Sequence, residues 1–534
     1  MEVDNTLSEL VQVGIELSTE KDTTLLLEKI LNAAKRLSRA DGGTIYGVTE
    51  DKKLKFDTLF NDSLGLYMGG SSGKPIPFDG IPIYEENGDI NTHTLVSHAA
   101  GTGNIINIED VYAVTEYDLS GPRKMDEKTG YHTQSVLCIP MKNHEGDLNG
   151  VLQLINAQND DGVVPFDPDV AESIRALASL AAVALTNREL IDSMEQLFQS
   201  FTRLIAKAID EKSPYTGGHC RRVPELTMMI ADAVCRFDSG PMAEFDMTEE
   251  DKNELSIAGW LHDCGKIATP EYVMDKSKKL EAVFDRIEMV VTRFELAQRD
   301  IELHYLRQVA KTDNSDEKSA LLAEMEAKIK QSQEDCEFVR RANTGGEFMT
   351  PEDQARIEKI GKETTLEVNG ATQPLLTDEE IYNLQIARGT LNNEERQVIN
   401  RHMDITISML ESLPFPKHLQ RVPEYAGGHH EKMDGTGYPK GLTKEQMSIP
   451  ARMMAIADIF EALTASDRPY KPAKKVSECL KIMGFMCKDQ HIDPDLFEIF
   501  VKEKVYEQYS KEFLSDDQYD EVKWENIPGF QAFL

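Results

Sequence analysis

The sequence predicts a multidomain protein: an α+β domain on an antiparallel sheet, a long connecting helix, and an all-α domain with a helical insertion. Three observations lead there. Two apolar, β-rich runs at 135–141 and 150–156 flank the polar turn Asn143-His144-Glu145-Gly146-Asp147 and read as a hairpin. From Val170 to Ser213 the chain contains neither Gly nor Pro. Residues 214–280 and 389–475 then repeat apolar residues at helical steps, as in Val223, Leu226, Ile230 and Val234. A chain of 534 residues also exceeds what one core holds, which stops growing near about 250–300 residues.

In chain order, Leu27, Ile30, Leu31, Ala34 and Leu37 mark a first helix, and Gly42-Gly43 then punctuates. Short strands are expected at 44–48 and 55–60, closing an α+β domain over 1–168. The connecting helix occupies 169–213, with Ile174, Leu177, Ala181, Ile191, Met194, Leu197, Phe198, Phe201, Ile205 and Ala208 at three- and four-residue steps. At 1.5 Å per residue it is roughly 65 Å long, more than one domain covers, which points to pairing with a second copy in a homodimer. The helical domain spans 214–475, interrupted by an inserted module at 283–388. In that module Val283, Ile287, Val291, Phe294 and Ile301 form one seam, and Leu322, Met325 and Ile329 another. Residues 341–376 read as loop, and Thr377-x-x-Glu380 as a capping box. A helical extension, acidic with scattered aromatics, fills 476–534.

Composition narrows the function. Lys and Arg total 58 against 93 Asp and Glu, a formal charge of −35, which disfavours any nucleic-acid polymer as partner. An anionic ligand needs a local cluster of cations against that field. Seven cysteines without a C-x-x-C pair suit a reducing compartment. The N-terminus lacks a basic region and an apolar stretch, and no run of apolar residues reaches membrane-spanning length. A cytoplasmic protein without membrane attachment is expected.

The chemistry concentrates at histidines. His262-Asp263 lies at the end of a helical run carrying Leu255, Ala258 and Leu261. On a helix, adjacent side chains point about 100° apart and converge only on something between them, as a divalent metal would be. His429-His430 precede the turn Asp434-Gly435-Thr436-Gly437, a second metal-binding corner. Asp458 is a lone carboxylate within Met453–Phe460, costly to bury unless paired or metal-bound. His219 and His402, in helical segments, carry little weight alone.

Together these blocks resemble the HD-GYP family of cyclic-dinucleotide phosphodiesterases, over about 205–500. They are Tyr215-Thr216-Gly217-Gly218-His219-Cys220-Arg221-Arg222-Val223, His262-Asp263-Cys264-Gly265-Lys266-Ile267, Arg401-His402, His429-His430-Glu431 with Gly437-Tyr438-Pro439, Ala457-Asp458, and Asp467-Arg468-Pro469-Tyr470-Lys471. The resemblance implies two divalent metal ions, iron or manganese. His219, His262, Asp263 and Asp458 would hold the first, and His402, His429 and His430 the second, with Asp263 bridging. It implies that Lys266 binds phosphate and protonates the leaving group, making Lys266 and Asp263 the catalytic pair. Arg468 and Lys471 would grip phosphates, with Tyr438 also on the substrate.

Two departures matter. Where some relatives carry a glutamate that helps hold a third metal, this chain has Tyr215, which implies two metals and a linear dinucleotide product. His262 and His402 are 140 residues apart, several times the family's usual spacing, because of the insertion. That insertion would cap the site, contact a partner or decorate the surface. The first 168 residues resemble a GAF sensor domain, on the strands around Cys138 and Leu154, then Asn156-Ala157, Phe166-Asp167 and the helix carrying Glu172. Ala157 stands where cyclic-nucleotide-binding GAF domains have lysine, which argues against a cyclic mononucleotide and leaves two readings, another small-molecule ligand or a domain that serves dimerisation alone. The expected function is linearisation of cyclic di-GMP, or of a mixed GMP–AMP cyclic dinucleotide, under GAF control. The alternatives are an HD-type phosphohydrolase on another nucleotide or phosphate ester, and a non-catalytic dinucleotide-binding adaptor.

Overall fold

The computed structural model describes residues 2–117, 119, 123, 126, 127, 129–212, 218–346, 348–466 and 473–530, with side chains from residue 10 onward. It divides into two compact units, Met1–Phe198 and Gln199–Leu534.

The N-terminal unit opens with helices α1 (Glu2–Thr19) and α2 (Thr23–Ser38). Its strands are β1 (Ala40–Val48), β2 (Lys53–Asn61), β3 (Leu66–Gly69), β4 (Ile81–Pro82), β5 (Ile106–Ile108), β6 (Val136–Lys142), β7 (Leu148–Asn159) and β8 (Gly162–Val164), with helix α3 (Leu95–Thr102) before β5. The sheet runs β3-β2-β1-β7-β6-β5, with β4 beside β2 and β8 beside β7, and every pairing is antiparallel. The period of two sorts the side chains. Leu137, Ile139, Leu152 and Leu154 join Leu26, Ile30 and Leu31 of α2 in one core. Val136, Cys138 and Val151 turn to the opposite face with Val96 and Ala99 of α3. Gly42-Gly43, expected to end an element, instead lies inside β1. A Cβ on Gly43 would come within 2.8 Å of Leu31 and one on Gly42 within 3.0 Å of Ile155, so both are glycine to admit close packing.

Helix α4 (Pro168–Lys212) is one unbroken run of 45 residues. Ile174, Leu177, Ala178 and Ala181 enter the core shared with α2.

The C-terminal unit is helical: α5 (His219–Arg236), α6 (Glu249–Leu261), a 3₁₀ turn (Cys264–Ala268), α7 (Glu271–Met274), α8 (Ile287–Val309), α9 (Ser315–Asn343), α10 (Pro351–Glu363), α11 (Asp378–Leu384), α12 (Asn393–Asn400), α13 (His402–Glu411), α14 (Val422–Gly427), α15 (Ile449–Thr464), α16 (Val476–Lys488), α17 (Pro494–Lys502) and α18 (Val505–Phe513). Helix α5 packs on α6 and α15, and the 3₁₀ turn on α13. The segment between α7 and α12 builds its own core from Leu280, Val290, Phe294, Val339, Ile357, Leu375 and Leu384. Residues 341–376, expected as loop, contain α10 and the hairpin of β9 (Thr365–Val368) and β10 (Ala371–Pro374). The helix start is a Thr350/Asp353 capping box followed by Pro351, a polar signal that weak apolar periodicity hides. Val283, expected in a helical seam, precedes α8 and is 91% exposed. No described helix is long and apolar enough to cross a membrane.

Candidate metal centre

The histidines sit where helices start or stop. His219 opens α5 after Gly218, whose φ of 88° turns the chain into the helix. His402 opens α13, and His429-His430 follow the end of α14. His262 terminates α6, and Asp263 has already left it at φ −108° and ψ 13°. The pair therefore converges because the backbone breaks between them, not because one helix carries both. The following 3₁₀ turn needs Gly265, where a Cβ would stand 2.0 Å from the carbonyl oxygen of His402. Its N–H donates to Thr406 Oγ1 at 2.9 Å. Asp458 projects from the middle of α15.

These seven side chains meet in one place. Asp263 is the hub: its Oδ2 lies 3.2 Å from His219 Nε2 and 3.3 Å from His262 Nε2, while Oδ1 lies 3.3 Å from His402 Nε2. Asp458 Oδ1 lies 3.3 Å from His219 Nε2 and 4.0 Å from His262 Nε2. His219, His262 and Asp263 form one potential cation cage and Asp263, His402, His429 and His430 a second, the ligand atoms in each within 4.8 Å of one another.

The ring orientations are set from behind. Nδ1 of His262 faces the carbonyl of Gly259 at 2.6 Å, that of His402 the carbonyl of Ile399 at 2.5 Å, and that of His429 the carbonyl of Ala426 at 2.7 Å. A carbonyl only accepts, so each Nδ1 carries the proton and each Nε2 presents a lone pair. Nε2 of His262, His402 and His429, and Asp263 Oδ1, are buried without a hydrogen-bond partner. Buried acceptors left bare are costly, and three ring nitrogens around one bare carboxylate oxygen fit divalent cations. The donor set is all nitrogen and oxygen.

Two participants have no role assigned from the motifs: Arg222, which stands inside the first block, and Glu461, which stands in none. Glu461, fully buried one turn after Asp458, has Oε2 2.5 Å from His219 Nδ1. Its other oxygen accepts from Arg222 Nε at 2.7 Å, and Arg222 lies one turn after His219. The available signal was spacing: Asp458-x-x-Glu461 and His219-x-x-Arg222 put each pair on one helix face.

The electrostatics separate the two cages. Burial works against a charged His219, yet the carboxylates of Glu461 and Asp263 hold its proton, raising it to about 10. Burial raises Glu461 in principle, but His219 and Arg222 bring it down to about 2. Burial pushes His429 well below the ordinary imidazole range, aided by His430 and His262, and brings His430 to about 4. Lys266 Nζ lies 2.5 Å from Asp263 Oδ2; burial opposes its charge, but Asp263 and Asp458 raise it above the usual lysine range.

Tyr438 stacks on the His430 ring at 4.9 Å and 22°. Its turn is held by Glu431, whose carboxylate accepts from the amides of Lys440, Gly441 and Leu442 at 2.7, 3.1 and 2.9 Å. Arg468, Lys471 and Tyr215 lie outside the described residues.

Comparison with known proteins follows the same division. The GAF domain family matches residues 22–185, and two HD domain families match 216–340 and 376–496. A 3'3'-cGAMP-specific phosphodiesterase of Vibrio cholerae is 37% identical over 114 residues, covering 21% of this chain and 26% of its own. A cyclic di-GMP phosphodiesterase of Pseudomonas aeruginosa is 40% identical over 114 residues, with the same coverage of 21% and 26%. The chain thus matches about a quarter of the length of these relatives. Among solved structures, a GAF domain from a phosphoenolpyruvate-protein phosphotransferase of Coxiella burnetii aligns with 36% of this chain and 99% of its own, at 14% identity and TM-score 0.28. The chain thus carries a GAF domain over 22–185 followed by HD-domain sequence over 216–340 and 376–496, and 114 of its residues are similar to cyclic-dinucleotide phosphodiesterases.

Proposed function

We propose that the centre holds two divalent cations, iron or manganese, and hydrolyses one phosphodiester bond of a cyclic dinucleotide to release the linear dinucleotide. The observation that carries this reading is the ring of bare, buried Nε2 and Oδ1 atoms around Asp263. His219, His262, Asp263 and Asp458 hold one ion; His402, His429 and His430 hold the other, and the two oxygens of Asp263 face opposite sides. When bound, the pair supplies Lewis acidity at the phosphoryl oxygens and an activated water.

The chain's own groups supply the rest. Lys266 neutralises phosphoryl charge, the local cation that an acidic protein requires. It also donates its proton to the departing sugar oxygen. A sugar alkoxide is more basic than an amine, so even a tightly held ammonium proton moves downhill. Tyr438, beside His430, gives the substrate an aromatic wall. Arg468 and Lys471 would add cations for the second phosphate. The names of the relatives support cyclic di-GMP or 3'3'-cGAMP as substrate. The GAF domain would regulate turnover by binding a small molecule, with α4 pairing two copies, in the cytoplasm, where seven free cysteines stay reduced.

Purified full-length protein loaded anaerobically with Fe(II) or Mn(II) is expected to convert at least one of these cyclic dinucleotides to its linear form. Asp263→Asn should retain neither metals nor turnover. Hydrolysis of other phosphate esters without either dinucleotide would favour a general phosphohydrolase. Tight dinucleotide binding by two-metal protein, without product, would favour an adaptor.

A further inference from the structure

The last turn of α4 grips the backbone on both sides of the metal centre. Lys212 Nζ donates to the carbonyls of Lys266, Ile267 and Thr269 at 3.2, 2.5 and 2.6 Å. An ammonium has three N–H bonds, and these carbonyls account for all of them. They cluster at the C-terminal end of the 3₁₀ turn that carries Lys266, where backbone dipoles leave negative charge. Two residues earlier, Asp210 accepts from the amides of Gly218 and Cys220 at 3.1 and 3.3 Å. Those amides flank His219 at the start of α5, whose N-cap, Gly218, has no side chain to cap with. Two opposite charges two residues apart thus hold the two segments that present Lys266 and His219. Neither belongs to a sequence block that marks the site.

We propose that Asp210 and Lys212 are positioning residues: together they set the place of Lys266 relative to His219 and Asp263, so that displacing the last turn of α4 changes turnover. This rests on the phosphodiesterase reading above and names a lever for it. Lys266 reaches Asp263 across one turn of 3₁₀ helix, so a shift of its backbone carries directly to its ammonium. Such misplacements of about 1 Å cost on the order of 100-fold in rate.

The test uses full-length, metal-loaded protein carrying Lys212→Met, Lys212→Arg or Asp210→Asn. Lys212→Met is expected to keep two metals per chain and the parent KM, with kcat lower by about 100-fold. Lys212→Arg, which keeps the charge and the N–H donors, should recover most of that loss, and Asp210→Asn should fall between. Amide hydrogen exchange across 264–269 should quicken in Lys212→Met and not in Lys212→Arg. Parent kcat in Lys212→Met, metal loss in step with activity, or unchanged exchange across 264–269 would each overturn the proposal. The exchange measurement needs no substrate. A parent protein inactive on every phosphodiester would therefore refute the function while the grip of Lys212 stood or fell on its own.

Discussion

Glu461 and His219 form a buried carboxylate–imidazole pair, Oε2 to Nδ1 at 2.5 Å, and Arg222 holds the same carboxylate from its other side. The His219 ring is thereby locked with Nε2 toward Asp263 and Asp458. Imidazole ligands are commonly oriented this way, and the partner also raises ligand basicity.

Replacing Glu461 with Gln keeps the shape and removes the charge. Metal affinity is expected to fall about 10- to 100-fold, measured by chelator competition. Glu461→Ala should in addition lower thermal stability, because Arg222 then loses its buried partner. Unaltered affinity in Glu461→Gln would show that the pair does not serve the metal.

Much of this candidate centre was legible in the sequence because its side chains come in short blocks with unusual residues adjacent: His262-Asp263, His429-His430, and Asp458 in an apolar run. Glu461 was not, and Arg222 stood in a motif block without a role, since a single charge three residues from a site histidine or aspartate looks like any helical residue until its neighbour in space is known. The same limit applies to the fold. Gly42-Gly43 reads as punctuation locally, and only the approach of Leu31 and Ile155 explains why a strand contains it. Helix α10 offers little apolar periodicity to read, since only Ile357 and Ile360 of it enter the local core and a capping box marks its start.

Metal uptake should be coupled to pH unequally at the two cages. A ligand nitrogen must be unprotonated, and His219 is held protonated up to about 10 by Glu461 and Asp263 against its burial. Loading the His219 cage therefore displaces a proton, and its affinity should fall by about tenfold for each unit that pH drops below that value. Burial keeps His429 and His430 neutral, His430 down to about 4, so these two nitrogens need give up no proton over the same range. Metal content measured from about pH 9 to pH 6 should fall first by one ion per chain. Calorimetry in buffers of different ionisation heats should find one proton released on binding that ion. Simultaneous loss of both ions, or no proton release, would contradict this.

Gly265 should tolerate no side chain. In Gly265→Ala the new methyl would meet the carbonyl oxygen of His402 at 2.0 Å and the amide nitrogen of Thr406 at 2.6 Å, both backbone atoms that cannot step aside. Overpacking of this kind costs about 1–3 kcal/mol, read as a lower urea midpoint at unchanged slope. The displaced element is the start of α13, so the variant should also bind metal less tightly at the His402 cage. A variant as stable and as metal-rich as the parent would mean that the turn and α13 separate easily.

The exposed face of α4 makes the last prediction. Leu190, Met194, Leu197, Phe201 and Leu204 follow one another at steps of four and three, and each is 55–69% exposed. A 4-3-4-3 apolar seam is the spacing of coiled-coil core positions, which fill holes on a facing helix. The cost of exposing apolar surface scales with its area, and five large side chains in one row form a surface that a second copy of the same seam would cover symmetrically. Met194→Glu with Leu197→Glu keeps helix propensity while placing like charges at the centre of the seam. Sedimentation equilibrium at micromolar concentration is expected to give a dimer for the parent and a monomer for the double variant. Equal masses for the two would mean that the seam faces something other than its own copy.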